Sequence, residues 1–278
     1  NIQRNEKKQK EELDKLKFKF FTNISHELRT PLTLIITPLD SVIRKLNDET
    51  LKSQLAGISR NAHELLNLVN QLLAFRKLEM NGETLNLSYC NVGEFVETIV
   101  PPFFDLAREN DVHFEFVRPE SDAMLYADQD KLRKIVNNLL SNAFKFTPAG
   151  GTIRLNIETD EAAREIALHI SDTGCGIDRD EQAQIFDRFY QAKNQQNQTG
   201  SGIGLHLVKE YAQLHNGNAT VKSRLGEGSV FTVTLSKELK PATQHDASEN
   251  PTSKDQRLKL LVVDDHAEFR NFLFNELS

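Results

Sequence analysis

The chain has 278 residues, is 38% hydrophobic and 27% charged, and carries a net charge of −6. This is an ordinary globular composition, long enough for about two domains. The acidic balance excludes a surface dominated by nucleic-acid contacts, and no apolar run approaches the roughly 20 residues of a membrane-spanning helix.

The chain opens on Asn1 without a signal peptide. It reads as a piece of a longer polypeptide, itself soluble and cytoplasmic. Cys90 and Cys175 lie far apart in no metal-ligand spacing. Free thiols in a reducing compartment, serving as small packing residues, are expected.

Residues 1 to about 20 are rich in Lys, Glu and Gln, with Leu13, Leu16, Phe20 and Ile24 at helical spacing, and Leu28, Leu32 and Ile35 continue the stripe. Asn47-Asp48-Glu49-Thr50 is a polar turn, and a second stripe runs Leu51, Leu55, Ile58, Ala62, Leu65, Val69 and Leu72, with Gly82 a plausible C-cap. Two long amphipathic helices joined by a short turn make an αα-hairpin. A lone hairpin cannot cover its own apolar faces. Two copies make a four-helix bundle, so a homodimer through residues 1–82 is expected.

From Leu85 short β-like runs alternate with helices. Strands are expected at Leu85–Tyr89, Val112–Val117, Met124–Tyr126, Thr152–Glu158, Ile166–Ser171, Ala219–Ser223 and Ser229–Leu235. Helices are expected at Val92–Glu109, at Gln129–Lys145 behind the N-cap Asp128, and at Leu205–His215. The pattern predicts an α/β sandwich at 83–240. Residues 241–256 have linker composition. A largely apolar strand, Leu258–Val263, then ends in Asp264-Asp265 and starts a third unit over 257–278. The fold class is therefore α+β multidomain.

Several short stretches carry chemistry. In FTNISHELRTPL (Phe21–Leu32), His26 and Thr30 share one helix face with Glu27 beside them. A neutral imidazole is a nucleophile near pH 7, and an adjacent carboxylate fixes its tautomer and takes up its proton. Pro31 and Pro38 lack the N–H groups that would bond one turn back, so the helix should bend past the histidine.

In NNLLSNAFKFT (Asn137–Thr147), the amides of Asn138 and Asn142 share a face at i,i+4, suited to Mg²⁺ with phosphates completing its shell, and Lys145 reaches a phosphate as a point charge. In DTGCGI, Asp172 follows a strand and can accept a hydrogen bond from an exocyclic amine, while Gly174 and Gly176 let backbone approach a flat ring. In TGSGIGL, Gly200, Gly202 and Gly204 precede a helix N-terminus at Leu205, a phosphate cradle of backbone N–H groups. GEGSVF adds a glycine pair before a strand. IFDRFYQAKNQQNQ, between the first two glycine stretches, reads as a lid hinged on Phe186, Phe189 and Tyr190. The Rossmann and P-loop fingerprints are absent.

Taken in chain order, FTNISHELRTPL resembles the H box of sensor histidine kinases, NNLLSNAFKFT the N box, DTGCGI and TGSGIGL the two main glycine boxes with IFDRFY as the F box between them, and GEGSVF a third glycine box, over roughly residues 15–236. LLVVDD is similar to the first strand and acidic pair of a response-regulator receiver domain, so the whole resembles a hybrid histidine kinase. The resemblance implies a dimerisation and phosphoacceptor hairpin followed by an ATP-binding domain of the Bergerat, or GHKL, type. It implies ATP-dependent phosphorylation of His26 with Glu27 as acid/base partner, transfer to a receiver aspartate, and a phosphatase activity in which Thr30 orients water. Asn138 is the implied Mg²⁺ ligand, Asn142 and Lys145 the phosphate contacts, and Asp172 the adenine reader. Gly200, Gly202 and Gly204 shape the lid end, and Asp264 with Asp265 would hold Mg²⁺ in the receiver.

An upstream sensor and a membrane-attached parent are implied as well. One position departs from the pattern. Gln191 stands where relatives often have a basic residue, with Lys193 or Arg188 as candidate substitutes.

Two other functions compete. The first is a hydrolysing ATPase of the same nucleotide-binding group. Such relatives carry a glutamate one helical turn before the key asparagine, and this chain has the amide Asn138 there, which cannot act as a base. The second is a dimeric scaffold that binds nucleotide without transfer. Measured turnover separates it from a kinase.

Overall fold

A computed structural model describes residues 24, 27–46, 48–81, 84–119, 122–191 and 201–240. His26, Gly82, Gly200, the lid residues 192–200 and everything from residue 241, hence the expected linker and receiver start, lie outside the described residues.

Helix α1 spans 27–45 and stays helical through Pro31 and Pro38. Helix α2, Glu49–Asn81, follows a tight turn. Asp48 makes that turn, its Oδ1 accepting from the N–H groups of Thr50 (2.9 Å) and Leu51 (3.1 Å), as an N-cap does. Polar clamps join the helices: Arg29 Nη2 donates to Asn70 Oδ1 at 2.8 Å, and Ser59 Oγ to Asp40 Oδ1 at 2.6 Å.

Only Ile36, Val69, Leu73 and Phe75 of the described hairpin side chains are buried apolar groups. Leu28, Leu34, Ile35, Val42, Leu51, Ile58, Leu65 and Leu68 remain exposed in the single chain. Much of the apolar stripe therefore stays uncovered, Leu28 included, as expected of half a bundle.

The second part is a two-layer α/β sandwich. Strands β1 (Ser88–Asn91) and β3 (Met124–Ala127) form a small antiparallel ribbon. The main sheet has the order β2-β4-β5-β7-β6. Its strands are β2 (His113–Val117), β4 (Thr152–Asp160), β5 (Glu165–Asp172), β6 (Ala219–Arg224) and β7 (Gly228–Ser236). Only the β2–β4 pair is parallel.

Alternation along β4 and β5 turns Ile153, Leu155, Ile157, Ile166, Leu168 and Ile170 onto one face, each at most 1% exposed. Helices α5 (Gln129–Phe146) and α6 (Gly204–Leu214) cover that face with Leu132, Ile135, Val136, Leu139, Leu140, Val208 and Tyr211. Burying each large aliphatic side chain contributes about 1.5–3 kcal/mol against leaving it in water.

The helix expected over Val92–Glu109 is two helices, α3 (Val92–Glu97) and α4 (Pro101–Glu109). Pro101 and Pro102 have no N–H for the carbonyls of the preceding turn, so the chain restarts there with proline at the first helical positions. The first strand begins at Ser88 rather than Leu85. Asp128 caps α5 as expected: its Oδ1 accepts from Lys131 N–H at 3.1 Å, and its Oδ2 accepts from Asn86 N–H at 2.9 Å. That second bond ties the segment leaving the hairpin to the start of α5.

Candidate active site

A cavity of about 320 Å³ opens between α5, the start of α6, the end of β5 and one face of α2. It gathers most of the residues singled out from the sequence. Asn138, Asn142 and Lys145 line it from α5, Asp172 and Gly176 from the β5 end, and Gly202, Gly204 and Leu205 from the approach to α6. Ser229 and Phe231 of β7 complete its floor.

Asp172 is 8% exposed at the last position of β5. Burial pushes its carboxyl up, and the backbone N–H groups of Gly174 and Ser229 oppose this. The Gly174 bond, at 2.9 Å, uses Oδ1. A buried acceptor aimed into a cleft suits a planar amine donor.

The nearby glycines also have a packing role. A Cβ at Gly174 would lie 2.5 Å from Phe146 O, and one at Gly176 (φ +69°) 1.9 Å from Arg224 O. What presses on these glycines is the protein's own backbone. Glycine there lets the loop after β5 lie flat against α5 and the β6–β7 turn, which sets the height of Asp172 in the cleft.

At the other end Gly202 (φ +67°) crosses Phe189 (φ +60°), whose N–H donates to Gly202 O at 3.0 Å. The described segments on either side of residues 192–200 are thus joined to each other. Beyond the crossing α6 begins at Gly204 without a side-chain cap, so its first N–H groups stay available to an anion. Gly204 packs against α5: a Cβ there would lie 2.8 Å from Asn138 Oδ1.

The two amides of α5 differ. Asn138 Nδ2 donates to Lys134 O at 2.8 Å and its Oδ1 accepts from Gln71 Nε2 at 3.4 Å. Asn142 is half-buried, and its side chain has no hydrogen bond among the described residues. Burial pulls the Lys145 amine down, and the Glu64 carboxylate on α2 opposes this. Lys145 Nζ also sits 5.0 Å from the Phe146 ring centroid.

Comparison with known proteins adds the family. Residues 16–81 match the His Kinase A (phospho-acceptor) domain, and residues 127–239 match the histidine kinase-, DNA gyrase B- and HSP90-like ATPase family. Hybrid signal transduction histidine kinase D of Dictyostelium discoideum is 40% identical over 230 residues, covering 81% of this chain and 15% of that protein. Histidine kinase P4 of Formosa agariphila is 34% identical over 307 residues, covering 98% of this chain and 22% of that protein. The chain belongs to the sensor histidine kinases.

It spans less than a quarter of either of these two relatives. Among solved structures, full-length ShkA in complex with AMPPNP superposes with a TM-score of 0.62 at 26% identity, covering 78% of this chain and 45% of that one. No described helix of this kinase chain is long and apolar enough to cross a membrane.

In this histidine kinase Glu27 and Thr30 lie exposed on α1, one residue and four residues past His26, which is itself outside the described residues. Gly200 and Lys193 lie outside them too, and Arg188 is engaged at 5.3 Å over the Phe75 ring. Cys175 corrects the packing expectation: it is exposed and lines the cleft, because the flat glycine loop leaves its side chain on the open side, whereas Cys90 is half-buried.

The α2 residues Glu64, Asn67, Leu68 and Gln71 also line the cavity, and sequence reasoning missed them. The sequence offered only a weak signal. Three of them, Glu64, Asn67 and Gln71, are polar groups at i, i+3 and i+7, a row on one helical face beside the apolar stripe.

Proposed function

We propose that the chain autophosphorylates on His26 with ATP held in the cleft, passes the phosphoryl group to a receiver aspartate, and dephosphorylates that aspartate in its other state. The arrangement that carries this reading is the row Asn138, Asn142 and Lys145 on α5, facing the open N-terminus of α6 with Asp172 across the cavity. It offers an adenine acceptor at one end and phosphate donors at the other.

Asp172 accepts from the adenine amine, and the first N–H groups of α6 and Lys145 hold the phosphates. The amide oxygens fit a hard divalent cation: Mg²⁺ there neutralises developing charge on the phosphates. Asn142 can ligate it without sharing its oxygen, whereas the Asn138 oxygen already accepts from Gln71. In the transfer a ring nitrogen of His26 forms the N–P bond, the bond from Pγ to the β,γ-bridging oxygen breaks to leave ADP, and the ring N–H proton passes to Glu27. Thr30, one turn on, orients the water of the phosphatase reaction.

The domain limits that go with this reading are a hairpin at 1–82, an ATP-binding domain at 83–240, a linker at 241–256 and a receiver start at 257–278. The exposed stripe on α1 and α2 supports a homodimer, and the parent protein is a membrane-attached sensor. Incubation with γ-labelled ATP and Mg²⁺ tests the reaction. Label that is acid-labile, base-stable and lost in both His26→Gln and Asp172→Asn is the expected result. Label that persists in His26→Gln overturns it.

A further inference from the structure

Helix α2 reaches into the cleft although the proposed chemistry gives it no task there. Gln71 makes two contacts with nucleotide-binding segments. Its Oε1 accepts from Ser201 Oγ at 2.6 Å and its Nε2 donates to Asn138 Oδ1 at 3.4 Å. Two turns earlier Glu64 is the carboxylate whose charge Lys145 feels.

One turn after Gln71, Phe75 is 3% exposed and anchors the helix. It sits edge-on to Phe189 at 5.5 Å and to His206 at 5.8 Å between ring centroids. Arg188 lies over the same ring at 5.3 Å.

We infer that α2 is a built-in competitor of the nucleotide's phosphates: docked as seen, Gln71 engages Ser201 and Asn138, and Glu64 shares the cavity with Lys145, where a triphosphate and its cation must fit. The inference rests on the ATP site proposed above and adds its regulation. The Gln71 amide oxygen accepts from Ser201 and the Glu64 carboxylate faces the same cavity as the Lys145 amine, as phosphate oxygens would, while the Gln71 N–H donates to the Asn138 oxygen that a cation would use. A hydroxyl has one proton to donate, so Ser201 cannot serve Gln71 and a phosphate at once, and full engagement of ATP there requires α2 to give up that contact. By linkage the coupling is reciprocal: whatever holds the hairpin docked lowers ATP affinity, and ATP loosens the docking. Phe75 binds outside the cavity, on the lid base and α6, so it sets how often Gln71 and Glu64 are in place. A signal arriving along the hairpin then has a direct route to the cleft.

The test is equilibrium titration of the full 278-residue chain with the non-hydrolysable analogue AMPPNP plus Mg²⁺, and separately with adenosine. The proteins are wild type, Glu64→Gln, Gln71→Ala, the double variant and Asp172→Asn. Removing the competitor should tighten AMPPNP binding about three- to tenfold in the double variant, the size of one hydrogen bond plus a screened charge contact. Adenosine, which has no phosphates, should bind all the α2 variants as it binds wild type.

Tighter AMPPNP with unchanged adenosine, alongside loss of both ligands in Asp172→Asn, supports the inference. Unchanged or weaker AMPPNP binding in the α2 variants, with Asp172→Asn still losing both ligands, overturns the inference and leaves the ATP site standing. Equal tightening of adenosine also overturns it, since the effect would not act through phosphates. Full binding in Asp172→Asn overturns the site and the inference together. Glu64 is exposed, so Glu64→Gln remains informative should Gln71→Ala unfold.

Discussion

The backbone N–H of Asp128 donates to Nε2 of His215 at 3.0 Å, joining the start of α5 to the end of α6. A backbone N–H can only donate, so Nε2 carries no proton and Nδ1–H donates to Tyr211 O at 2.7 Å. The imidazole is 0% exposed and is held neutral by its surroundings. Burial pulls its pKa down; the Tyr211 carbonyl and the Asp128 charge oppose this, while Lys131 adds to it.

A pH dependence of stability follows, with a definite sign. The unfolded chain protonates His215 near the ordinary value of about 6.5, whereas the folded chain does so only lower. Its contribution is therefore complete above that value and is lost as pH falls through it towards the depressed folded value. Thermal unfolding between pH 8 and 5 should show a melting temperature that drops below about pH 6.5. In His215→Gln that part of the slope should vanish.

The glycines of the cleft separate steric crowding from backbone strain. Gly176 and Gly226 both have positive φ, +69° and +82°. A Cβ at Gly176 meets Arg224 O at 1.9 Å, and one at Gly226 meets nothing within 4 Å. Gly226→Ala should cost only the left-handed penalty of about 1–2 kcal/mol. Gly176→Ala should cost clearly more and displace the loop that follows Asp172, as read by denaturant midpoints and by loss of nucleotide affinity.

The exposed hairpin stripe predicts association. Sedimentation equilibrium should give twice the chain mass for wild type. Ile58→Glu, at a position 54% exposed in the single chain, should shift the protein toward monomer without lowering the stability of the α/β sandwich.

Asp172→Asn should weaken adenosine binding about tenfold or more, because a bond to a charged acceptor is lost. The raised carboxyl adds a second readout. Affinity should begin to fall on acidification at a higher pH than an ordinary aspartate near 3.9 would produce. Adenosine avoids phosphate titration in this measurement.

Much of this architecture was legible in the sequence because local rules and tertiary packing agree. The β-branched alternation of β4 and β5 is the buried face itself, and Asp128 caps α5 as its residue type and place suggest. The break at Pro101 is masked in the sequence because the apolar spacing runs on across it, while the missing N–H groups interrupt the helix regardless.

The cleft residues of α5, the β5 end and the α6 start were legible as short motifs. The crowding that explains Gly174 and Gly176 was not, since Phe146 and Arg224 are remote in sequence and near only through the fold. The wall supplied by α2 was hidden for a related reason. Glu64 and Gln71 look like solvent-facing polar positions until Phe75 brings that face against α6 and the lid base.

The most direct measurement is peptide mapping of the chain by mass spectrometry at neutral pH after incubation with ATP and Mg²⁺. The predicted result is a single phosphoramidate on the peptide containing His26, formed in wild type, lost in Asp172→Asn and enhanced when Gln71 and Glu64 are substituted together. Phosphate on any other residue, or bound ATP with none transferred under any of these conditions, would contradict a histidine phosphotransfer centred on His26.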